Sequence, residues 1–334
     1  MRVRLEDVAR AAGVSPKTVS RVLNDEANVR ESTRERVRAV VAELNYRPHL
    51  SARSLASNHS YMVATLYDNP SSSYLTEVQD GVLEACDQRH YSMLVRPLDA
   101  EAPDFVERVD TLISAHRPDG LVLTPPVSDH PELLQRLHER GVIYASVSPK
   151  QRADTIGVYM DEQEAAREIV RHLIQLGHRR IAHAIGHTVH GAGAWRLAGY
   201  RQALADAGIA IEPALVVQGD FSFDSGVQAA RQLFALDRPP TAIFAGNDDM
   251  ASGVLWAANE HGLSIPHDLS VCGFDDVPIS RQVWPTLTTV HQPARDMGRI
   301  ACQQLLDVLR GRSGGHMVQV PYALKLRAST APPR

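Results

Sequence analysis

The sequence is short of several things, and each shortage removes a class of protein. Its 334 residues hold three cysteines, Cys86, Cys272 and Cys302. They lie far apart and are odd in number, so they offer neither a disulfide framework nor metal-ligand spacing, and a reducing cytoplasm fits. No apolar run approaches the roughly 18–20 residues that span a bilayer, so no membrane partner is expected. The opening residues, Met1 to Asp7, lack the apolar core of a signal peptide. Gly186-His187-Thr188-Val189-His190-Gly191 has neither the lysine of a P-loop nor the glycine spacing of a dinucleotide loop. A Gly-x-Ser-x-Gly elbow is also missing. No catalytic residue and no cofactor is therefore assigned, and the chain is not expected to be an enzyme. The densest histidine group is His172, His178, His183, His187 and His190. His172 and His178 bracket a helix end and His183 alternates within a strand, so no metal site is expected.

What is present begins with an uneven charge. The net charge of −4 conceals 11 Lys and Arg against 7 Asp and Glu in residues 1–60, or +4, and 24 against 32 in the remainder, or −8. A basic head on an acidic body suits a polyanion-binding module joined to something else. The same head contains two short amphipathic helices. Leu5–Ala12 is closed by Gly13, and the next begins at Ser15-Pro16, with Ser15 as N-cap and Pro16 at the first helical position. Val19, Val22 and Leu23 fall on one face of the second helix; Lys17, Thr18 and Arg21 fall on another. That is a helix-turn-helix pattern, whose second helix enters the DNA major groove. Read alone, the polar face is either a solvated surface or a DNA reader. Ser32-Thr33-Arg34-Glu35 reads as a capping box opening a third helix to about Leu44, with Val37, Val40, Val41 and Leu44 inward. Pro48 is expected to end it, by disfavouring helical geometry at Arg47. The head is thus 1–46. Residues 47–60 have helical composition but too few apolar positions for a core, and isolated helices shorter than about 12–15 residues are marginal in water. They are either a plain linker or a hinge that folds on DNA.

From Tyr61 to about residue 330, apolar strand-like runs alternate with amphipathic helices. Strands are expected at 62–67, 92–95, 120–123, 142–147 and 155–159, and, after a long helix at 161–176, at 181–185, 215–218, 241–245 and 269–273. This order implies parallel sheets covered on both faces, as two doubly wound subdomains. Ligands then bind at the carboxyl ends of the strands.

Particular residues of this frame resemble the lactose-repressor/purine-repressor family of bacterial transcription regulators. In the head they are Leu5-Glu6-Asp7-Val8-Ala9, Gly13-Val14-Ser15, Thr18 to Asn24, Leu44 to Pro48 and Ala52-Arg53-Ser54-Leu55-Ala56. In the body they are Leu176 to Ala182, Arg196-Leu197-Ala198-Gly199-Tyr200, Gly246-Asn247-Asp248-Asp249-Met250, Gly273-Phe274-Asp275-Asp276 and Pro285 to Val290. The resemblance implies an all-α head and a periplasmic-binding-protein-like α/β body, with an N-subdomain of about 61–160 and 291–320 and a C-subdomain of about 161–290 and 321–330. It implies a cytoplasmic homodimer on a palindromic operator in double-stranded DNA, acting as a repressor and controlled by a small effector in the body's cleft. DNA contacts then fall to Ser15, Pro16, Lys17, Thr18, Ser20, Arg21, Asn28, Tyr46 and Arg53. Lys17 and Pro16 set base preference, Arg21 reads a base edge, and Leu55 wedges into the minor groove. Effector contacts fall to Arg196, Asn247 and Asp275, with Phe221 stacking on a ring and Tyr74 and His190 facing the pocket. Bland roles stand beside these: Asn247 as a helix cap, Asp275 as a partner for loop amides, Leu55 as a staple onto the body. His190 and Ala192 depart from what a purine-binding relative shows, and the loop Ser146 to Pro149 lacks a charge many relatives carry. A carbohydrate is the expected effector, since its hydroxyls suit an Asp–Asn–Arg set. The alternative is a cytoplasmic sugar-binding protein or an α/β enzyme with the same body and no regulatory DNA binding.

Overall fold

The computed structural model describes residues 3–23, 28–46, 59–152, 155–312 and 314–334. They fall into two compact units, Met1–Tyr61 and Met62–Arg334. The expectations for Arg53, Leu55 and residues 47–58 lie outside the described residues.

Among its described residues the first unit contains three helices, α1 (Leu5–Ala12), α2 (Pro16–Leu23) and α3 (Glu31–Glu43). Val8, Ala9, Ala12, Val19, Val22 and Val37 form its core. Gly13 closes α1 in the left-handed conformation at φ 62°, a position where glycine carries no Cβ penalty. Ser15 caps α2 as expected: its hydroxyl accepts the Thr18 N–H at 3.1 Å. One expectation for α3 fails. The helix begins one residue before Ser32, and the Arg30 carbonyl accepts the Thr33 and Arg34 N–H groups at 3.0 Å each, so Ser32 sits inside the first turn and caps nothing. The helix ends at Glu43, within a residue of the expected Leu44. Asn45 takes a left-handed conformation at φ 46° just beyond it, as asparagine does more readily than other non-glycine residues.

The second unit opens with β1 (Met62–Tyr67), α4 (Ser72–Gln88), β2 (Ser92–Pro97), α5 (Phe105–His116), β3 (Gly120–Leu123), α6 (Pro131–Glu139), β4 (Tyr144–Val147) and β5 (Gly157–Tyr159). A second series follows: α7 (Glu162–Gln175), β6 (Ile181–Ile185), α8 (Gly191–Asp206), β7 (Val216–Gln218), α9 (Phe223–Phe234), β8 (Ala242–Ala245), α10 (Asp248–Glu260) and β9 (Ser270–Cys272). The chain then runs through a short α11 (Ile279–Gln282), β10 (Thr289–His291), α12 (Ala294–Leu309), β11 (Met317–Gln319) and β12 (Ala323–Lys325). Six strands form one parallel sheet in the order β11-β5-β4-β3-β1-β2, and four form a second, β7-β6-β8-β9. Each sheet buries apolar side chains against its helices: Leu66, Leu121 and Leu123 against Phe105, Val109 and Leu133 in the first lobe, and Ile243 and Val271 against Leu233 and Val254 in the second. Burial on both faces is why these strands read as continuous apolar runs rather than alternating ones.

A small antiparallel ribbon, β10 with β12, was not expected from the sequence. Its strands are three residues long and lie over thirty residues apart, too little local pattern to read. The terminal part of the chain crosses back to the first lobe: α12 packs on α4, and β11 pairs with β5. The two helices meet at reciprocal glycines. A Cβ on Gly81 would strike the Arg295 carbonyl, and one on Gly298 would strike the Val78 carbonyl. Gly298→Val is therefore expected to lower stability by about 1–3 kcal/mol through overpacking. Chemical denaturation measures this, and an unchanged midpoint would show that the two helices are free to slide apart.

Candidate functional site

The ends of the strands decide where the body's cleft lies. Thirteen side chains line it, and most follow a strand's carboxyl end: Asn69 and Ser71 after β1, Pro125 after β3, Ser148 after β4, Glu162 after β5, His190 and Ala192 after β6, Phe221 after β7, Asn247 after β8 and Asp275 after β9. Tyr74, Arg196 and Gln292 complete the lining. All six residues singled out from the sequence as effector contacts, Tyr74, His190, Arg196, Phe221, Asn247 and Asp275, are thus brought together. The cavity they enclose is about 30 Å³, which admits water and no sugar.

Arg196 is the centre of this arrangement. The helix carrying it starts at Gly191, three residues earlier than expected, which places His190 at the N-cap and turns Arg196 inward, 4% exposed. Its Nε donates to Glu162 at 3.3 Å, Nη1 to the Gly246 carbonyl, and Nη2 to Asp275 at 3.2 Å and Gln292 at 3.3 Å. The Phe274 ring lies 3.7 Å from the guanidinium carbon, close enough for a cation–π contact. A buried cation needs such compensation, because losing one partner of a buried pair costs about 3–5 kcal/mol.

The surrounding loops are tied in place one by one. Asn247 does the helix-capping work foreseen as its bland role, its Oδ1 accepting the Met250 N–H at 2.9 Å. Its Nδ2 also donates to the Phe221 carbonyl at 3.0 Å, so one amide fixes a helix start and an aromatic loop. Phe221 is held at φ 71°, its ring against Gly186 where a Cβ would clash. Asp275 sits at φ 103° and its N–H donates to Val290 at 2.9 Å. Beneath it, fully buried Asp248 accepts from Thr289 Oγ1 at 2.6 Å and from the Val277 N–H at 3.0 Å. Ser148 and Asp276 also have positive φ. Four such residues, Ser148, Phe221, Asp275 and Asp276, gather around this cleft, each costing about 1–3 kcal/mol that the surrounding contacts must offset.

Burial sets the protonation states. It pushes the Asp275 carboxyl up to about 7, with Glu162 and Asp249 adding to the rise and Arg196 opposing it. It lowers His190 to about 4, aided by His187, Arg196 and Lys150, so this imidazole is neutral at pH 7. The edge of His190 meets the Phe221 ring at 5.4 Å. Tyr74 Oη lies 3.5 Å from Gln292 Nε2. Contacts on either side of the cavity join the two lobes. Ser71 Oγ donates to Asp249 at 2.7 Å, Lys150 Nζ donates to the Val189 carbonyl at 2.9 Å, and Arg152 lies 5.1 Å from the Trp195 ring.

Sequence reasoning missed Glu162 and Gln292. Glu162 reads as an ordinary first-turn acid beside Asp161, the true cap, whose Oδ1 accepts the Glu164 N–H at 3.0 Å. In the other unit, Ser15, Pro16 and Lys17 are exposed on α2, Thr18, Ser20 and Arg21 are half-buried, and Asn28 is exposed on the turn before α3. Tyr46 packs against the head core, so its ring has a structural duty there.

A family model described as bacterial regulatory proteins, lacI family, matches residues 4–49, and one for a periplasmic binding protein-like domain matches residues 170–330. The chain is 32% identical over 334 residues to catabolite control protein A of Priestia megaterium, across 99% of this chain and 100% of that one. The chain belongs to the lacI family. It is 36% identical to the HTH-type transcriptional repressor PurR of Erwinia tasmaniensis, across 98% of this chain and 96% of that one. Among solved structures, the Lac repressor dimer bound to operator and the anti-inducer ONPF aligns with a TM-score of 0.81 at 31% identity, over 99% of this chain and 100% of that one. The transcriptional regulator CelR in complex with cellobiose aligns at 0.76 and 31%, over 98% and 100%. As a lacI-family member, the chain is a DNA-binding transcriptional regulator with an effector-binding body, and not an enzyme.

Asp275 yields a test independent of any ligand. An acid whose pKa is raised in the folded state keeps a proton that the unfolded chain, with a carboxyl near 3.9, has lost. Its contribution is fully favourable below about 4 and is lost as the pH rises through about 7. Asp275→Asn removes that loss. The melting temperature of the wild type should fall relative to the variant between pH 4 and pH 8, and parallel profiles would show that Asp275 does not titrate in this range.

Proposed function

We propose that the chain is a cytoplasmic homodimeric repressor. Its heads, residues 1–46, occupy a palindromic operator through Ser15, Pro16, Lys17, Thr18, Ser20, Arg21 and Asn28, with Tyr46 at the head's end. Residues 47–60, with Arg53 and Leu55, connect them to bodies that bind a carbohydrate. The observation that carries the reading is the convergence of Tyr74, His190, Arg196, Phe221, Asn247 and Asp275 on one cleft, in a chain with a helix-turn-helix at its other end. Carboxylate and amide acceptors suit ring hydroxyls, and Phe221 offers a face for the apolar side of a sugar ring. CelR, with its bound cellobiose, is a relative whose complex agrees with this class. His190 and Ala192 line the cavity and give a nucleobase few groups to pair with.

The cavity's size implies the mechanism. A sugar enters only when the lobes part, which breaks the contacts from Ser71 to Asp249 and from Lys150 to Val189. Binding then shifts the population of body conformations and, through residues 47–60, the DNA-competent state, with a coupling typically of about 1–3 kcal/mol. Self-association is supported by exposed apolar side chains: Phe223 and Trp256 meet edge to face at 6.4 Å, and Trp284 is 89% exposed.

A thermal-shift screen of the intact protein over neutral sugars tests the effector class. A sugar that raises the melting temperature should also change operator affinity, and a chain beginning at Tyr61 should keep the shift without binding operator. Stabilisation by nucleobases alone would replace the carbohydrate reading. For the head, Arg21→Ala should cost about 1–3 kcal/mol of operator affinity and relax base choice at one position. Uniform weakening on all sequences would make Arg21 a phosphate contact instead.

A further inference from the structure

We infer that Glu162 sets the charge of the effector, so that the cleft takes uncharged or ammonium-bearing polyhydroxyl compounds and rejects phosphate esters and carboxylates. This rests on the effector cleft proposed above.

An arginine facing a ligand pocket ordinarily suggests an anion, because two parallel N–H groups grip a carboxylate or phosphate. Here the guanidinium is already spent. Of its five N–H donors, one goes to Glu162, one to the Gly246 carbonyl, one to Asp275 and one to Gln292. Phe274 covers one face at 3.7 Å. The single donor left, on Nη1, cannot form a two-pronged grip. No other side chain in the lining supplies a cation, since His190 is neutral; Lys150 stays charged but lies outside that lining, donating to the Val189 carbonyl.

The lining sets two carboxyl groups, Glu162 and Asp275, against one guanidinium in a buried site where solvent screens little, and Asp275, raised to about 7, is only partly ionised at neutral pH. What remains for a ligand is mostly acceptors: the second oxygens of Glu162 and Asp275, which accept no hydrogen bond from the described residues. Ser148 Oγ, on a residue 8% exposed, lines the same cavity and has no partner. Hydroxyl or ammonium donors satisfy these groups, whereas a phosphate would face them as a like charge.

Glu162 is the residue that makes the difference. Asp161 already caps α7, so the helix does not need a second acid at its first turn. Glu162 is instead buried to 3% and turned onto Arg196. With an isosteric amide there, Nε keeps an acceptor but the lining loses one negative charge, so an anion near Arg196 is repelled less.

The test uses sugars matched in skeleton and different in charge: glucose, glucosamine, glucose 6-phosphate and gluconate, with galactose and ribose and their phosphates, and inorganic phosphate alone. Calorimetry on the intact wild type should show each phosphate or acid at least about 10-fold weaker than its neutral parent, and no binding of inorganic phosphate. Glu162→Gln should bind the phosphates about 10-fold more tightly than the wild type does and keep neutral parents within about 3-fold, while Glu162→Asp should retain the exclusion. A wild type that binds any phosphate more tightly than its parent overturns the inference, as does a folded Glu162→Gln that gains no affinity for anions. If Glu162→Gln does not fold, the wild-type comparison decides alone. A wild type that binds no neutral sugar, beside a Glu162→Gln that gains phosphate affinity, sinks the carbohydrate reading and leaves the charge inference standing.

Discussion

A guanidinium with almost no access to water has to be neutralised where it lies, and the body of this protein is built around that requirement. Arg196 reaches four segments at once: Glu162 at the start of α7, the Gly246 carbonyl after β8, Asp275 after β9 and Gln292 beyond β10. Each lies far from the others in sequence, so the cation fixes their mutual positions more strictly than apolar packing would. Buried ion networks of this kind do little for net stability compared with a well-packed apolar core. Their value here is in placement, since Arg196, Glu162, Asp275 and Gln292 all line the cavity.

The strain around the cleft follows from the same constraint. Phe221, Asp275 and Ser148 take backbone conformations that non-glycine residues avoid, and each is held by a specific partner: Asn247 for the Phe221 loop, Val290 and Asp248 for the Asp275 loop, and the Val158 carbonyl for the Ser148 N–H. Asn247 shows how a bland and a functional role coincide, because the amide that caps α10 also fixes the aromatic loop. The lobes meet across the cavity through Ser71 with Asp249 and Lys150 with Val189. These few polar contacts are the kind of interface that two body conformations can share or break at modest cost.

Much of this was legible in the sequence, for identifiable reasons. Parallel strands covered on both faces leave unbroken apolar runs, so Ile181–Ile185 and Met62–Tyr67 could be placed to the residue, and the α2 cap at Ser15 follows from local chemistry. The ribbon of β10 and β12 was not legible, because three-residue strands over thirty residues apart leave no periodic trace. Ser32 misled because Ser-x-x-Glu matches a capping box wherever it falls, while the Arg30 backbone sets the real start of α3. In the cleft, residues whose type is unusual for their place, such as Arg196 and Asp275, could be singled out. Glu162 could not, since an acid in the first turn of a helix is what the helix dipole favours anyway. Only the burial of its side chain shows that it serves Arg196.

If Arg196 organises the cleft, and the cleft governs DNA binding, replacing it should separate the two activities. The most direct measurement is operator affinity of the intact protein by fluorescence anisotropy, with and without a saturating neutral sugar taken from the stability screen, for the wild type and Arg196→Met. Operator affinity of the wild type should change by about 5- to 150-fold on adding the sugar, and Arg196→Met should bind operator but ignore the sugar. An Arg196→Met protein that keeps the full response would contradict this role for Arg196.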